Sequence, residues 1–278
     1  MSKIDVIIPI KGRPNKLSER CLPALQRQTF KDFHITVIDD GSSPHELQMI
    51  TDTIIKFRSN GLSISLAQNE GHPGAAGARN FGYTITSCPY VLWHDSDDIV
   101  LDRKLEISLS LIESGKYNLA ITRAQHIKDG ILINEYWGDP VAPNRGTYEF
   151  HFPYQTMCAL YRRSFLDSSK TKWHENINMM NDWLFSNEVL LKTDNWVFSP
   201  AVTAHYFVPD PKSNSIGSMI TRGKIKSQFL AIKTLKTAMK RYNLRFSIMD
   251  GMRIIRHQIF LVASYIYNRF TFFKSRIT

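Results

Sequence analysis

Cysteine is scarce in this sequence of 278 residues, which contains only Cys21, Cys88 and Cys158. The three are far apart, odd in number and form no CxxC pair, which argues against a paired-cysteine motif. Free cysteine is usually buried in folded proteins. We therefore expect three buried thiols in a protein of the reducing cytosol.

Long hydrophobic runs are also missing. The longest uncharged apolar stretch, residues 259–267, is far shorter than the ~20 residues that a membrane-spanning helix needs. The opening MSKIDVIIPI lacks the basic region and the small-residue cleavage site of a signal peptide. We expect a cytoplasmic protein, with peripheral attachment to the inner face of the membrane left open.

Acidic residues are nearly absent from the C-terminal part of the chain. Residues 218–278 contain 13 Lys and Arg but one acid, Asp250, and so carry a net charge of +12, whereas the rest carries −2. This asymmetry suggests that one part does chemistry and the other meets an anionic partner. It predicts a domain over residues 1–217 and a basic extension over 218–278.

Strand and helix signals alternate over the first hundred residues. Runs rich in β-branched residues predict strands at 4–10, 34–40, 62–67 and 90–93, and apolar residues at helical spacing lie between them. This order predicts an α/β fold with a mostly parallel sheet flanked by helices. Ligands bind beyond the carboxyl ends of such strands, where polar and acidic residues collect in this sequence.

The later part of the chain is less regular. Apolar runs on both sides of Asp129-Gly130 predict a hairpin, and residues 177–191 have the pattern of a helix. An extended run, a loop and two amphipathic helices with basic outer faces are predicted to follow, at residues 196–208, 209–218, 225–242 and 252–270.

Three acids follow the fourth predicted strand in the stretch VLWHDSDD, namely Asp95, Asp97 and Asp98. Like charges so close together repel one another and are costly to desolvate. Mg²⁺ or Mn²⁺ would remove both problems, because these ions prefer carboxylate oxygens and can also bind a diphosphate. The alternative is an acidic loop in which Asp98 or Asp102 caps the next helix.

Two more acids, Asp39 and Asp40, follow the second predicted strand, and Arg79 lies just upstream of the fourth. Carboxylates can accept hydrogen bonds from uracil and ribose, and Arg suits a diphosphate. The alternatives are a turn in which either aspartate binds its own backbone near Gly41, and a surface ion pair for Arg79.

Taken together, these motifs resemble those of the inverting glycosyltransferases of family 2, which have the GT-A fold. The matching segments, in order, are VIIP, the QTF segment, VIDDGSS, the NxG…ARNxG stretch and the DxDD motif. The resemblance covers residues 4–102 well and extends to about residue 210. It implies a nucleotide-sugar-binding half over 1–102 and an acceptor-binding half over 103–217.

The resemblance also implies a nucleoside-diphosphate-sugar donor, most often a UDP-sugar, and an Mn²⁺ or Mg²⁺ cofactor. It implies the following positions around the donor and the ion: Pro9 and Ile10 beside the base, Asp40 on uracil with Asp39 next to it, Arg79 near the nucleotide, Asp95 and Asp97 as the DxD pair, and Asp97 or Asp98 on the metal. His205 resembles a late histidine that joins the metal in some members.

An inverting transfer needs a base that takes the proton of the acceptor hydroxyl. Family members place it in an acidic pair at the start of a later helix, which makes Asp182 the expected base, with Asn181 in place of the commoner acid. Glu188 and Asp167 are the second choices. An alternative is that Asp182 only stabilises the helix start. His94 departs from the family pattern and either packs or reaches the sugar.

Three functions remain open. The first is synthesis of a bacterial surface glycan such as lipopolysaccharide or capsule, on a glycan or lipid-linked acceptor, with the basic helices on an anionic membrane. The second is a phage-type DNA glucosyltransferase whose basic helices contact phosphates. The third is a non-catalytic protein that binds nucleotide sugars or nucleic acid. The basic helices could instead pack on the body or on a second subunit of a homo-oligomer.

Overall fold

The computed structural model describes residues 2–140, 147–148, 153–208 and 221–274. Its first half is built on four parallel strands in the spatial order β3-β2-β1-β4. Their bounds are β1 (Ile4–Ile10), β2 (Phe33–Asp39), β3 (Ile64–Gln68) and β4 (Tyr90–Trp93). All four predicted strands are confirmed.

Helices connect these strands. The first, α1, consists of three consecutive segments: Pro14–Lys16, the π-helical turn Leu17–Cys21, and Leu22–Gln26. The other two are α2 (Pro44–Ser59) and α3 (Ala75–Thr84). The N-terminus of α2 is fixed by a capping box between Ser43 and Glu46. Gly82 lets α3 lie close to the sheet, since a Cβ there would come within 2.5 Å of Ile7. Side chains on one face of α3 therefore reach the carboxyl ends of the strands.

The second half of the sheet mixes strand directions. Its elements are β5 (Ile99–Val100), α4 (Lys104–Ser114), β6 (Leu119–Lys128), β7 (Ile131–Trp137), β8 (Thr147–Tyr148), β9 (Ala159–Arg162), α5 (Arg163–Ser169), α6 (Asn181–Lys192) and β10 (Trp196–Phe207). The β9 strand lies between β4 and β6 and is antiparallel to both, and β10 is parallel to β6. The hairpin at Asp129-Gly130 is confirmed, with φ of 52° and 79°.

Two C-terminal helices pack against the body. They are α7 (Arg222–Lys240) and α8 (Ile248–Lys274), with the short strand β11 (Arg245–Phe246) between them paired to β8. A second hydrophobic core joins α6 to these helices through Ile177, Trp183, Leu184, Leu191, Ala231, Ile232, Leu235, Met239 and Ile254. The predicted loop 209–218 and the domain boundary at residue 217 lie outside the described residues. Among the described residues no helix has both the length and the hydrophobicity to cross a membrane.

All three cysteines are buried and unbonded, as expected. Burial raises the pKa of the Cys88 thiol to about 12 and that of Cys158 to about 11. Both thiols therefore stay protonated near neutral pH and behave as small apolar side chains.

The sequence did not draw attention to Lys104, at the start of α4, which is fully buried. Its Nζ donates hydrogen bonds of 2.8 Å to Thr122 Oγ1 and to the Cys158 carbonyl. These bonds tie α4 to β6 and to the turn before β9. Burial lowers the pKa of the ammonium group to about 8, because the charged form loses its hydration.

Replacing Lys104 by Met is expected to change how stability depends on pH. Since the folded pKa is lowered, the unfolded chain binds more protons between about pH 8 and the ordinary value of 10.5. Wild type should therefore gain about 2 kcal/mol relative to Lys104→Met between pH 8 and pH 10. Urea unfolding of both proteins at the two pH values measures this. A stability difference that stays constant would contradict the buried titration.

Candidate active site

The acid cluster, defined here as Asp95, Asp97 and Asp98, lies where β4 ends. Parallel strands place their carboxyl ends at one edge of the sheet, so the ends of β1 and β2 lie alongside. The loop that carries the cluster turns back into β5, which pairs with β10. The cluster is thus placed between the two halves of the fold.

Asp95 is held by Arg79 from α3. The guanidinium Nη2 lies 2.5 Å from Asp95 Oδ1, and the Arg79 side chain is only 8% exposed. Its other face lies on the Trp173 ring, at 4.3 Å from the ring centroid, which is a cation–π contact. A buried ion pair of this geometry holds both charges in fixed positions. The sequence prediction that Arg79 and Asp95 belong to one site is supported by this contact.

Asp97 and Asp98 have different surroundings. Asp97 is partly exposed, with Oδ2 at 3.5 Å from Arg13 Nη1, whereas Asp98 is buried and accepts a hydrogen bond of 3.2 Å from the Phe207 N–H. Burial, and then the charges of the neighbouring acids, raise the pKa of both carboxyl groups. Asp97 therefore faces outward, and the end of β10 orients Asp98.

The donor set fits a hard divalent cation. The cluster offers only oxygen ligands, and burial, together with the charges of the neighbouring acids, raises the pKa of two of its three members, a shift that a bound cation would oppose. The described residues contain no ready-made group of three or more His, Cys, Asp or Glu for a metal ion. The cluster thus suits an ion that completes its shell with diphosphate oxygens, as Mg²⁺ commonly does.

Asp182 lies in the first turn of α6 and reaches the same site. The Trp183 N–H donates a hydrogen bond of 2.9 Å to Asp182 Oδ1. Burial raises the pKa of Asp182, the Arg79 charge lowers it, and the Asp95 charge raises it again, so all three groups share one electrostatic environment. The helix begins later than predicted, at Asn181, whose Nδ2 donates to the carbonyls of His174 and Ile177.

An aromatic cluster holds β4 and α6 together beneath the site. Trp93, the last residue of β4, makes edge contacts with Phe185 and Trp173 at centroid distances of 5.2 and 5.5 Å. The Trp173 and Phe185 rings stack in parallel at 4.0 Å. Aromatic pairs contribute about 0.5–1.5 kcal/mol beyond the area that they bury. The cluster therefore fixes the acids, Arg79 and the helix that carries Asp182 relative to one another.

Asp39 and Asp40 are both used by the protein itself. Asp39 is buried and accepts hydrogen bonds from the Gly41 and Ser42 N–H groups and from the Ser42 hydroxyl, which is the turn foreseen as the alternative. The Asp40 carboxylate accepts a hydrogen bond of 2.7 Å from Asn69 Nδ2 and one of 2.9 Å from the Gly74 N–H. Asp40 thereby orders the loop that leads into α3 and to Arg79.

Pro9 and Ile10 are buried at the end of β1. The Ile10 carbonyl accepts a hydrogen bond of 2.8 Å from the Asp40 N–H. The two residues therefore form the floor beside Asp40 rather than an open surface. Gly12 and Arg13 follow with positive φ, and this sharp turn brings Arg13 back toward Asp97.

His205 lies opposite Ile99 where β10 pairs with β5, so its backbone is next to the acid cluster. It makes no hydrogen bond or ion pair with these acids in the described part of the chain, and burial lowers its pKa. Side chains alternate along a strand, so Tyr206 points the other way. Burial, and then the charges of Asp98 and Asp182, raise the pKa of Tyr206. The charges of the acids thus affect the pKa of Tyr206, and a role of His205 at the metal stays a prediction.

The second-choice bases and His94 have other surroundings. Glu188 accepts a hydrogen bond of 2.8 Å from His174 Nε2, and Asp167 accepts one of 2.6 Å from the Tyr83 hydroxyl. His94 is fully buried, with neither ring nitrogen hydrogen-bonded within the described residues, and burial lowers its pKa to about 4. It is therefore a neutral packing residue near neutral pH.

Sequence reasoning missed Asn69, Trp173 and Tyr206. Asn69 belongs to the quoted NxG stretch, so its part in holding Asp40 could have been suspected. Trp173 lies in an irregular segment without periodicity. The choice between Tyr206 and its neighbour depends on which face of β10 turns inward, which only the fold decides.

Comparison with known proteins agrees with the site. The family model "Glycosyl transferase family 2" matches residues 5–169, which include the acid cluster and Arg79. The chain is 29% identical over 153 residues to the amylovoran biosynthesis glycosyltransferase AmsB of Erwinia amylovora, over 53% of this chain and 50% of AmsB. It is 26% identical over 145 residues to WfgD of Escherichia coli, a UDP-Glc:alpha-D-GlcNAc-diphosphoundecaprenol beta-1,3-glucosyltransferase, over 52% and 53% of the two chains. The chain thus spans about half the length of these relatives.

The fold is similar to that of a solved structure that contains a nucleotide sugar. Residues 1–349 of Staphylococcus aureus TarS, in complex with UDP-GlcNAc, superpose with a TM-score of 0.66 at 17% identity, over 97% of this chain and 73% of that one. This similarity confirms the predicted GT-A-type α/β fold. The residues matched by the family model make up more than half of the chain and include those at the carboxyl ends of the parallel strands. The chain therefore belongs to glycosyl transferase family 2.

Proposed function

We propose that this protein is a metal-dependent inverting glycosyltransferase that transfers a sugar from a UDP-sugar to an acceptor hydroxyl in surface glycan synthesis. The observation that carries the proposal is that the Arg79–Asp95 pair lies on the Trp173 ring, which stacks on Phe185 of α6, the helix whose first turn carries Asp182. A candidate base, an arginine and the acid cluster are thereby held near one another by the same packing. The UDP-GlcNAc in the name of the TarS complex and the UDP-Glc in that of WfgD support a UDP donor.

In this mechanism the donor diphosphate lies at the acid cluster. Asp97 and Asp98 would hold Mn²⁺ or Mg²⁺, which neutralises the charge of the leaving diphosphate when bound. Arg13 is the cation beside Asp97, and its guanidinium suits a phosphate oxygen. Asp95 stays paired with Arg79 and keeps that arginine directed at the donor side of the site.

Asp182 acts as the general base. Its carboxylate takes the proton of the acceptor hydroxyl while the oxygen attacks the anomeric carbon and the bond to the diphosphate breaks. Burial raises the pKa of Asp182, which makes the carboxylate a stronger base than an exposed aspartate. Backbone N–H groups at the start of α6, among them that of Trp183, hold the carboxylate in place, and a carboxylate has about four lone-pair sites in all, so it can also accept the acceptor hydroxyl.

The C-terminal helices favour a membrane-bound acceptor over DNA. The outer face of α8, defined here by Ile248, Met249, Met252, Ile255, Ile259, Phe260 and Val262, is apolar, with side chains 40–85% exposed. Arg253 and Arg256 lie beside this face, and Ile254 and Leu261 are buried on the opposite side. Bound to DNA phosphates, the helix would leave its apolar side chains in water. An anionic bilayer surface, in contrast, binds both the apolar and the cationic side chains. A lipid-diphosphate acceptor, as in the name of WfgD, fits such a surface.

The Asp182→Asn substitution is expected to lower the transfer rate by about 10²–10⁴-fold, because general bases contribute rate factors of that size. Binding of UDP should be unchanged, since the amide keeps the shape of the side chain. Transfer rates from a panel of UDP-sugars and UDP affinity by calorimetry measure the two effects. Full activity in the variant would exclude Asp182 as the base, and loss of transfer with intact binding would exclude a purely binding protein.

Stabilisation by UDP is expected to depend on Mn²⁺. Because burial and the charges of neighbouring acids disfavour ionised Asp97 and Asp98, and because carboxylates repel a diphosphate, the cluster should bind the nucleotide well only with a cation present. Thermal unfolding with UDP, Mn²⁺, both, or both plus a chelator tests this. Asp97→Asn and Asp98→Asn should lose the combined effect, and Asp182→Asn should retain it. UDP stabilisation that survives chelation would contradict the metal role.

The Ile255→Glu/Ile259→Glu double variant is expected to lose binding to vesicles rich in phosphatidylglycerol. Two charges on the outer face of α8 would have to enter the interface, which is costly. Flotation of wild type and variant measures the loss. Ile55→Glu is the matched control, because Ile55 is 54% exposed on α2. Wild type that floats with neutral and anionic vesicles alike, or stays in solution as a dimer, would contradict the proposed membrane contact.

A further inference from the structure

A second cleft, separate from the acid cluster, lies between the end of α6 and the end of α7. Its volume is about 270 Å³. The charged and titratable side chains that line it are Lys170, Lys172, His174, Glu188, Lys192 and Arg241. Trp173 also lines it and carries Arg79 on its ring, so this tryptophan belongs to both places.

The charges in this basic cleft are strongly unbalanced. Four cationic side chains face one acid, Glu188, which is already bonded to His174 at 2.8 Å. Lys170, Lys172 and Arg241 are exposed, and Lys192 is half-buried. Like charges gathered in one concave site repel each other, and an anion relieves that repulsion.

Lys192 is the cation built most firmly into the wall. Its Nζ donates a hydrogen bond of 3.2 Å to the Ser169 carbonyl and one of 3.1 Å to Thr171 Oγ1. An ammonium group has three N–H donors, so one remains for a ligand. Lys192 and Arg241 both line the cleft. Burial lowers the pKa of Lys192, the Glu188 charge opposes this and the Arg241 charge adds to it.

We propose that the basic cleft binds a phosphate group of the acceptor, an inference that rests on the proposed glycosyltransfer. Arg and Lys are the side chains that bind phosphate best, and Arg241 can do so through two N–H groups. The volume is near the lower end of the range for ligand sites, which suits a phosphate group with one attached sugar or polyol. A whole nucleotide sugar would not fit.

The position of the cleft relative to the base supports an acceptor ligand. Asp182 and Glu188 lie on the same helix, and six residues correspond to about 9 Å along its axis. The cleft is therefore displaced by about 9 Å along α6 from the hydroxyl that Asp182 would deprotonate, which is at least the length of one to two sugar units. Both a glycosyl diphosphate on a lipid and a polyol phosphate chain carry phosphate at such a distance.

The first test measures anion binding without turnover. Glycerol 3-phosphate is titrated calorimetrically without divalent cations, when the acid cluster repels anions. Wild type should bind it, and Lys172→Glu/Arg241→Glu should lose at least about tenfold in affinity. Lys233→Glu/Lys236→Glu is the control, because it changes the net charge equally on the exposed side of α7. No binding by wild type, or an equal loss in the control, would overturn the proposal.

The second test uses transfer and separates the two sources of phosphate. The basic-cleft variant should show a raised KM for a phosphate-bearing acceptor, with kcat and the KM of the donor unchanged. A polyprenyl-diphosphate-linked sugar and poly(glycerol phosphate) are compared, and the acceptor whose KM rises identifies the source. Unchanged KM for both would overturn the acceptor role. A protein that transfers no sugar but still binds glycerol 3-phosphate in the cleft would instead refute the proposed function.

Discussion

The repulsion among three desolvated carboxylates at the end of β4 is the constraint on which the rest of the site depends. Ionised Asp95, Asp97 and Asp98 would be unstable together in a partly buried loop. Each carboxylate is stabilised by a different group: Arg79 pairs with Asp95, Arg13 lies near Asp97, and the Phe207 N–H group donates a hydrogen bond to Asp98. The compensation is incomplete, since the pKa values of Asp97 and Asp98 remain raised. Because the negative charge of the acid cluster is only partly compensated, the cluster should bind a cation.

The compensating groups come from elements far apart in the chain, which explains why the aromatic cluster matters. Arg79 comes from α3, Arg13 from the turn after β1 and the Phe207 N–H group from β10, and the proposed base Asp182 comes from yet another element, α6. Trp93 precedes the acids, and its ring contacts both Trp173 and Phe185. A displacement of β4 would therefore move the acids and the base together. Packing of apolar rings thus sets the geometry of a polar site.

Sequence reasoning predicted the parallel strands from local periodicity, and the ordered motifs led to the expectations for Arg79, Asp95 and Asp182. It also predicted acids at the strand ends and gave a turn at Asp39 or Asp40 as the alternative, but it did not decide which aspartate forms that turn. Which face of β10 turns inward at Tyr206 depends on how that strand pairs, and the burial of Lys104 depends on where α4 packs. Neither leaves a pattern in the sequence, since both follow from contacts between distant segments.

Helix α6 connects the proposed steps of the function. Its first turn carries Asp182, its last turns contribute Glu188 and Lys192 to the basic cleft, and its apolar face packs on α7 in the second core. The basic extension is therefore not an independent appendage, because the core that it shares with α6 contains Trp183, next to the base. If the outer face of α8 lies on a membrane, this packing fixes the direction in which the site opens relative to the lipid surface. An acceptor anchored there by a phosphate would then meet Asp182 in one orientation, and regiospecific transfer would follow from the packing of two helices.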